Sequence, residues 1–498
     1  MRTSKLWPLA LGIVALMGCA NTTQITPPVR GAGAVVAAPD PAIKPAPPPV
    51  ASDFVSFDAA PANRFTKASE AGEMLVRLRV GARALKDAPR APVNLALVVD
   101  TSGSMEGEMI EDAKKASLAL LDSLSPGDTL AVVAFHSRAD VLTPSTRITA
   151  KSAAKIREQI SSMRAHGTTD MAGGLRAGLD EVVKGLRAEG VNRIVLLGDG
   201  VPNNEAPMLN LAQAAGQSGV AVTTLGLGLD YNETLMNAVA QHSGGKFHFV
   251  RDSGAVASVF KEEVLRLKRV VGRNASLKLS PGPGVVIKGV VGLPTSMSGT
   301  DTMVTLGDMS EGDQRDVIVR VAAAGRRAGS VVELFDAAVA FDVTNGFTSA
   351  RLEERSFVAV RATGDAQELA SGRDADVERT AARMSVADRI VQAIAAARMG
   401  QLAQAQAMLD AIEKDARRAA KELEDDELLE KAKTIPSLKG SLSSLVQRVE
   451  PALPVMPVKV SAAPMAVDVA MPRPMAARPD AEVVMEAQAS AVQTIQGR

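Results

Sequence analysis

The chain has 498 residues, with 56 Lys plus Arg against 56 Asp plus Glu, and so a formal net charge of zero. That length exceeds one ordinary hydrophobic core and sets an expectation of two or three domains. The charge balance offers no global attraction to nucleic acid or to an anionic bilayer surface. One Trp and one Tyr leave little for base or sugar stacking, so a nucleic-acid partner is not expected.

The N-terminus carries Arg2 and Lys5 before an apolar run from Leu6 to Gly18. As a helix this run reaches roughly 20 Å, short of a hydrocarbon core of about 30 Å, and reads as a secretory signal peptide over residues 1–18. It ends in Leu16-Met17-Gly18-Cys19, which resembles the lipobox of bacterial lipoproteins, and Cys19 is the only cysteine in the chain. A lone cysteine excludes an internal disulfide framework even though export is indicated. The resemblance implies cleavage before Cys19, acylation of that residue, and a lipid anchor at the cell envelope. Ala20 stands where an inner-membrane retention signal usually has Asp, which favours the outer membrane.

Residues 19–62 are rich in Pro, Ala and Val, including Pro45-Ala-Pro-Pro-Pro49, and read as an extended tether. Glu73 to Val80 alternates, with Met74, Val76, Leu78 and Val80 on one side, as a half-buried strand requires. From 92 to 270, apolar strands at Leu95–Asp100, Thr129–His136, Arg193–Leu197, Val220–Leu225 and Phe247–Val250 alternate with amphipathic helices. That rhythm predicts an α/β fold, a doubly wound, mostly parallel sheet covered on both faces. Residues 271–362 become strand-rich between Gly, Pro and Asp turns and suggest a β-sandwich. Residues 63–91 supply its first strand or strands if the α/β domain is inserted between sandwich strands. Residues 376–449 read as a helical hairpin broken at Gly400, and 450–498 as a disordered tail.

The chemistry concentrates at the ends of two strands. Asp100-Thr-Ser-Gly-Ser104 follows the strand Leu95–Val99 and precedes a helix, the junction where open α/β sheets place ligands. It offers one carboxylate and two hydroxyls, hard oxygen donors suited to Mg²⁺, Mn²⁺ or Ca²⁺ and poorly suited to Zn²⁺ or copper. On its own the turn also reads as a helix N-cap. Thr168-Thr169-Asp170 opens another helix, and Leu196-Leu-Gly-Asp199 ends another strand, so all three segments point to one sheet edge. Together, in this order, they resemble the metal-ion-dependent adhesion site of von Willebrand factor A domains. The resemblance extends over about 92–270 and includes Ser125-Pro-Gly-Asp128.

That resemblance implies that Ser102, Ser104 and Thr169 give hydroxyls directly to the metal, Mg²⁺ first among candidates, while Asp100 and Asp199 act largely through water. Thr169 is preferred over Thr168 because it directly precedes Asp170. His166 stands where glycine is common, and Gly198 where Thr or Ser is common. Neutral hydroxyl ligands leave the cation most of its charge, so a carboxylate from a partner protein completes the site well. The sandwich that follows, with its Leu306–Arg315 turn, is similar to inter-alpha-trypsin inhibitor heavy chains. No enzyme is expected. His136, His166, His242 and His248 show no His-x-x-x-His spacing, and no nucleophile elbow, phosphate loop or dinucleotide fingerprint occurs in a plausible setting. The expected function is metal-dependent protein binding at the envelope. The alternative is an assembly or structural factor that binds through its helical region, with an accessory metal site.

Overall fold

A computed structural model describes residues 51–83, 91–188, 190–198, 205–227, 232–250, 269–343, 350–447 and 479–496, with isolated positions between 259 and 267. Cys19, Asp199 and the expected signal segment lie outside the described residues.

The α/β sheet is built from β4 (Val93–Asp100), β5 (Thr129–Phe135), β6 (Ala139–Arg147), β7 (Val191–Gly198), β8 (Ala221–Leu227) and β9 (Phe247–Val250). Their order across the sheet is β6-β5-β4-β7-β8-β9. Every neighbouring pair is parallel except β5 with β6. Strand β4 is buried along its whole length, and successive side chains enter different cores. Val93, Leu95, Leu97 and Val99 pack with helices α1 (Glu108–Ser123) and α2 (Ala150–Ser161). Ala96 and Val98 pack with α3 (Met171–Lys184), α4 (Ala206–Gln217) and α5 (Glu233–Ser243). Continuous apolar strands are what two covered faces demand. At the amino edge the Asp128 carboxylate accepts from the amides of Val93 and Ser125, at 3.0 and 2.8 Å, which gives the Ser125–Asp128 turn a structural purpose.

The flanking strands form a β-sandwich. One sheet has the order β1-β3-β14-β11, from β1 (Val55–Pro61), β3 (Gly72–Ala82), β14 (Gln314–Ala323) and β11 (Val285–Val290). The other is β12-β13-β10-β15-β16-β2, from β12 (Thr295–Ser298), β13 (Asp301–Ser310), β10 (Val270–Pro281), β15 (Val331–Val343), β16 (Arg351–Thr363) and β2 (Phe65–Lys67). Strand β3 lies between β1 and β14 and pairs with β14 from Gly72↔Ala323 to Gly81↔Gln314. The α/β domain is therefore inserted between sandwich strands β3 and β10.

The tether reading of residues up to 62 needs correction at its end. Val55–Pro61 is a paired sandwich strand, because Phe54 is buried and sets its ring edge-on to Phe341 with centroids 6.4 Å apart. The Pro-rich composition stops at Pro49, and the apolar side chains after it have a core to enter.

The helical region also differs from a single hairpin. After a short α6 (Ala366–Ser371) come α7 (Ala375–Arg398), α8 (Leu402–Leu423) and α9 (Asp426–Gln447). Gly400, with φ of +79°, makes the first turn as expected. A second turn at Glu424 and Asp425 was not legible. It is held by the buried Asp425 carboxylate, which accepts from Leu428 N at 3.0 Å and from Arg383 at 2.7 and 2.9 Å. Residues 479–495 are not disordered but form α10 (Pro479–Ile495). Its Met485 and Val492 enter the α/β core, while Val484, Ala491 and Ile495 enter the helical core. Long-range burial on two sides supplies the order that local composition does not. Among the described residues no helix is long and apolar enough to cross a membrane.

The inserted domain meets the sandwich through close backbone packing and buried charge. A Cβ on Gly307 (φ +74°) would fall 1.7 Å from the Gly244 carbonyl oxygen, so only glycine lets α5 end against β13. Arg193 of β7 donates to Asp308 of β13 at 2.8 Å, both side chains being buried.

Candidate metal centre

Strand β4 delivers Asp100 to the carboxyl edge of the sheet with no exposure at all. Its Oδ1 accepts from Ser102 N at 2.8 Å, which turns the chain sharply back over the strand end. Thr101 fastens the same turn to β5, with its amide and hydroxyl donating to Phe135 O at 2.8 and 3.0 Å. The turn sets the Ser102 and Ser104 hydroxyls 3.0 Å apart. Ser102 is buried and Ser104 exposed, so the pair runs from the interior to solvent. No side chain caps α1, whose N-cap residue is Gly107. Capping of that helix by Ser104 is therefore excluded as the reason for the turn.

The second segment is brought alongside by backbone bonds. Gly103 N donates to Gly167 O at 3.0 Å, and His166 N donates to Thr101 O at 2.8 Å. Asp170 caps α3 by accepting from Gly173 N at 2.9 Å, while its own amide donates to His136 O. The Thr168 amide and hydroxyl both donate to Ser137 Oγ, at 3.0 and 3.3 Å. That engagement leaves the half-buried Thr169 as the hydroxyl of this segment better placed to serve a cation. The third segment arrives with Gly198, where a Cβ would lie 3.2 Å from Asp100 Oδ2 and 3.3 Å from Met171 Cε. The end of β7 thus abuts the Asp100 carboxylate, and Asp199 is the next residue outside the described range.

This donor set fits a hard divalent cation. It joins a buried carboxylate to a close hydroxyl pair, and such oxygens suit Mg²⁺, Mn²⁺ or Ca²⁺. Ser102, Ser104 and Thr169 are the residues that would hold it, and the carboxylates would orient its water.

One neighbour was not anticipated from sequence. The rings of His136 and His166 lie against each other, tilted, with centroids 3.9 Å apart and 42° between planes. His136 Nε2 lies 3.1 Å from Asp140 Oδ2. Burial pushes the Asp140 carboxyl up, yet the hydrogen bonds from His136 and Arg138 outweigh it and hold it below its ordinary value. Two histidines in separate loops carry no spacing signal, so only the fold could bring them together.

An open α/β sheet with oxygen donors on the loops at its carboxyl edge defines the class of fold: an α/β domain of doubly wound topology. Residues 94–262 match the family model of the von Willebrand factor type A domain, and the chain carries such a domain. It is 30% identical over 258 residues to an uncharacterized protein of Synechocystis, covering 49% of this chain and 61% of that one. It is 27% identical to a human inter-alpha-trypsin inhibitor heavy chain over 35% of this chain and 20% of that one. The chain thus spans less than two thirds of the length of these relatives. Among solved structures it is similar to a von Willebrand factor type A protein from Catenulispora acidiphila. There the TM-score is 0.63 at 18% identity, over 77% of this chain and 90% of that one. The ArnB paralog VWA2 from Sulfolobus acidocaldarius gives a TM-score of 0.52 at 17% identity, over 76% and 93%. Both likenesses concern the fold.

Proposed function

We propose that this chain is a non-enzymatic binding protein of the cell envelope that grips an acidic residue of a partner protein through a divalent cation, Mg²⁺ foremost. The observation that carries this reading is the hydroxyl pair Ser102–Ser104, 3.0 Å apart beside the buried Asp100. Neutral hydroxyl ligands leave the cation electrophilic, and a partner carboxylate completes its shell with a charge-assisted contact. The test has two parts. Calorimetric titration of the purified chain should show one Mg²⁺ or Mn²⁺ site, and capture of an envelope partner should be lost on adding chelator. A chain that binds no divalent cation at millimolar concentration removes the proposal.

A second reading keeps the metal accessory and gives binding to the helical region. It is supported by a groove of about 780 Å³ between α7, α9 and α10, floored by Ala387, Ile390, Leu438 and Ala491. Capture of the partner that survives chelator favours this reading over the first.

Attachment is proposed to run through a lipid on Cys19, on the strength of the lipobox-like run that ends there. Cys19→Ser is expected to release the protein to the soluble fraction or to leave it unprocessed. Unchanged membrane fractionation of the variant would end the anchor proposal.

A further inference from the structure

The residues between α2 and α3 that carry Thr169 have no regular secondary structure. Their placement against the Asp100–Ser104 turn rests on the backbone bonds described above and on side-chain contacts that include Thr168 with Ser137, Met163 in the core, and the ring of His166 against that of His136. His136 is anchored at the end of β5. It is buried, its Nε2 meets Asp140, and its Nδ1 has no hydrogen-bond partner among the described residues. His166 is exposed, yet its Nδ1 lies 3.0 Å from Arg164 O, the arrangement of a ring that donates through Nδ1–H. The two rings lie against each other, tilted by 42° with centroids 3.9 Å apart, and bury apolar ring surface between the loops.

The same two residues also bracket the metal turn through their main chains. His166 N holds Thr101 O, and His136 O holds Asp170 N at 2.6 Å. Gly167, between His166 and the two threonines, has φ of +77°, and a Cβ there would meet Ser137 Oγ at 2.5 Å and His136 Nδ1 at 3.3 Å. The loop is thus packed onto His136, and Thr169 follows it directly.

Resting on the metal reading above, we propose that His166, packed on His136, is a positioning residue that registers the Thr169 hydroxyl against Ser102 and Ser104. The ring is not itself a ligand. It fixes the loop before the cation arrives, which matters because this segment is irregular and meets the first through backbone bonds from Gly103 N to Gly167 O and from His166 N to Thr101 O.

The experiment titrates Mn²⁺ into the full-length chain as wild type, His166→Ala and His166→Phe, with thermal melts in the absence of metal. Outer-shell groups of this kind typically change metal affinity about tenfold or more, so His166→Ala is expected to bind Mn²⁺ about tenfold more weakly with an unchanged melt. His166→Phe keeps an aromatic face and is expected to return to within about twofold of wild type. An alanine variant that binds as wild type overturns the positioning role alone. A phenylalanine variant as weak as alanine also overturns it, because the imidazole nitrogens and not the packed ring would then matter. Wild type that fails to bind Mn²⁺ overturns the metal reading and this inference together.

Discussion

Asp100→Ala is expected to weaken Mg²⁺ or Mn²⁺ binding by about 100-fold or more, since even outer-shell partners are worth 10–100-fold and Asp100 contributes in two ways. Its charge lies in a fully buried position, where water screens it little and it favours a nearby cation strongly. Its Oδ1 also accepts from Ser102 N at 2.8 Å, so the same substitution loosens the turn that sets the two serine hydroxyls. Asp100→Asn separates the effects, because an amide oxygen can still hold the Ser102 amide while the charge is gone. A large loss in both variants assigns the effect to charge, and a loss in alanine alone assigns it to the turn. Folding should survive, since removing a buried carboxylate also removes its desolvation cost. Calorimetric titration alongside a thermal melt reads both quantities. Wild-type affinity in a folded Asp100→Ala variant would refute the assigned site.

The largest effect on stability is expected at the junction of the inserted domain with the sandwich. Arg193→Ala leaves the Asp308 carboxylate buried without the guanidinium that meets it at 2.8 Å. Breaking one side of a buried pair typically costs about 3–5 kcal/mol. Arg193 also donates to Thr223 Oγ1 at 3.1 Å, so a second buried polar atom loses a partner. Replacing both members with apolar residues, Arg193→Met with Asp308→Leu, should recover much of the loss because no charge then remains stranded. Part of the cost would persist, since Asp308 Oδ1 also accepts from Asn274 N at 3.3 Å. Denaturant unfolding followed by fluorescence-independent means, such as circular dichroism, would register a lower midpoint for the single variant. An unchanged midpoint would show that the inserted domain stands without this contact.

The α/β domain was legible in the sequence alone, whereas its insertion between sandwich strands was there only a conditional reading, which the pairing of β3 with β14 resolves. Strands buried on both faces must be continuously apolar, and β4, β5, β7 and β8 are fully buried in the structure. Likewise the alternation over 73–80 marked one face of β3 for a core, and Val76, Leu78 and Val80 occupy it. The turn that carries the proposed ligands was legible too, since Asp100, Ser102 and Ser104 follow one strand without a break. Tertiary structure decided what local pattern could not carry. Strand β6 sits at a sheet edge with mixed burial and a proline at 144, so neither apolar continuity nor alternation announces it. Strand β1 forms just after the Pro-rich run because β3 and Phe341 lie in reach. Helix α10 is ordered by two cores at once, a condition invisible in its Ala, Val and Met content. The packing of His136 on His166 has the same origin. A side chain's neighbours along the chain set its periodicity, whereas its partners across the fold are set by which strands and loops the packing brings together.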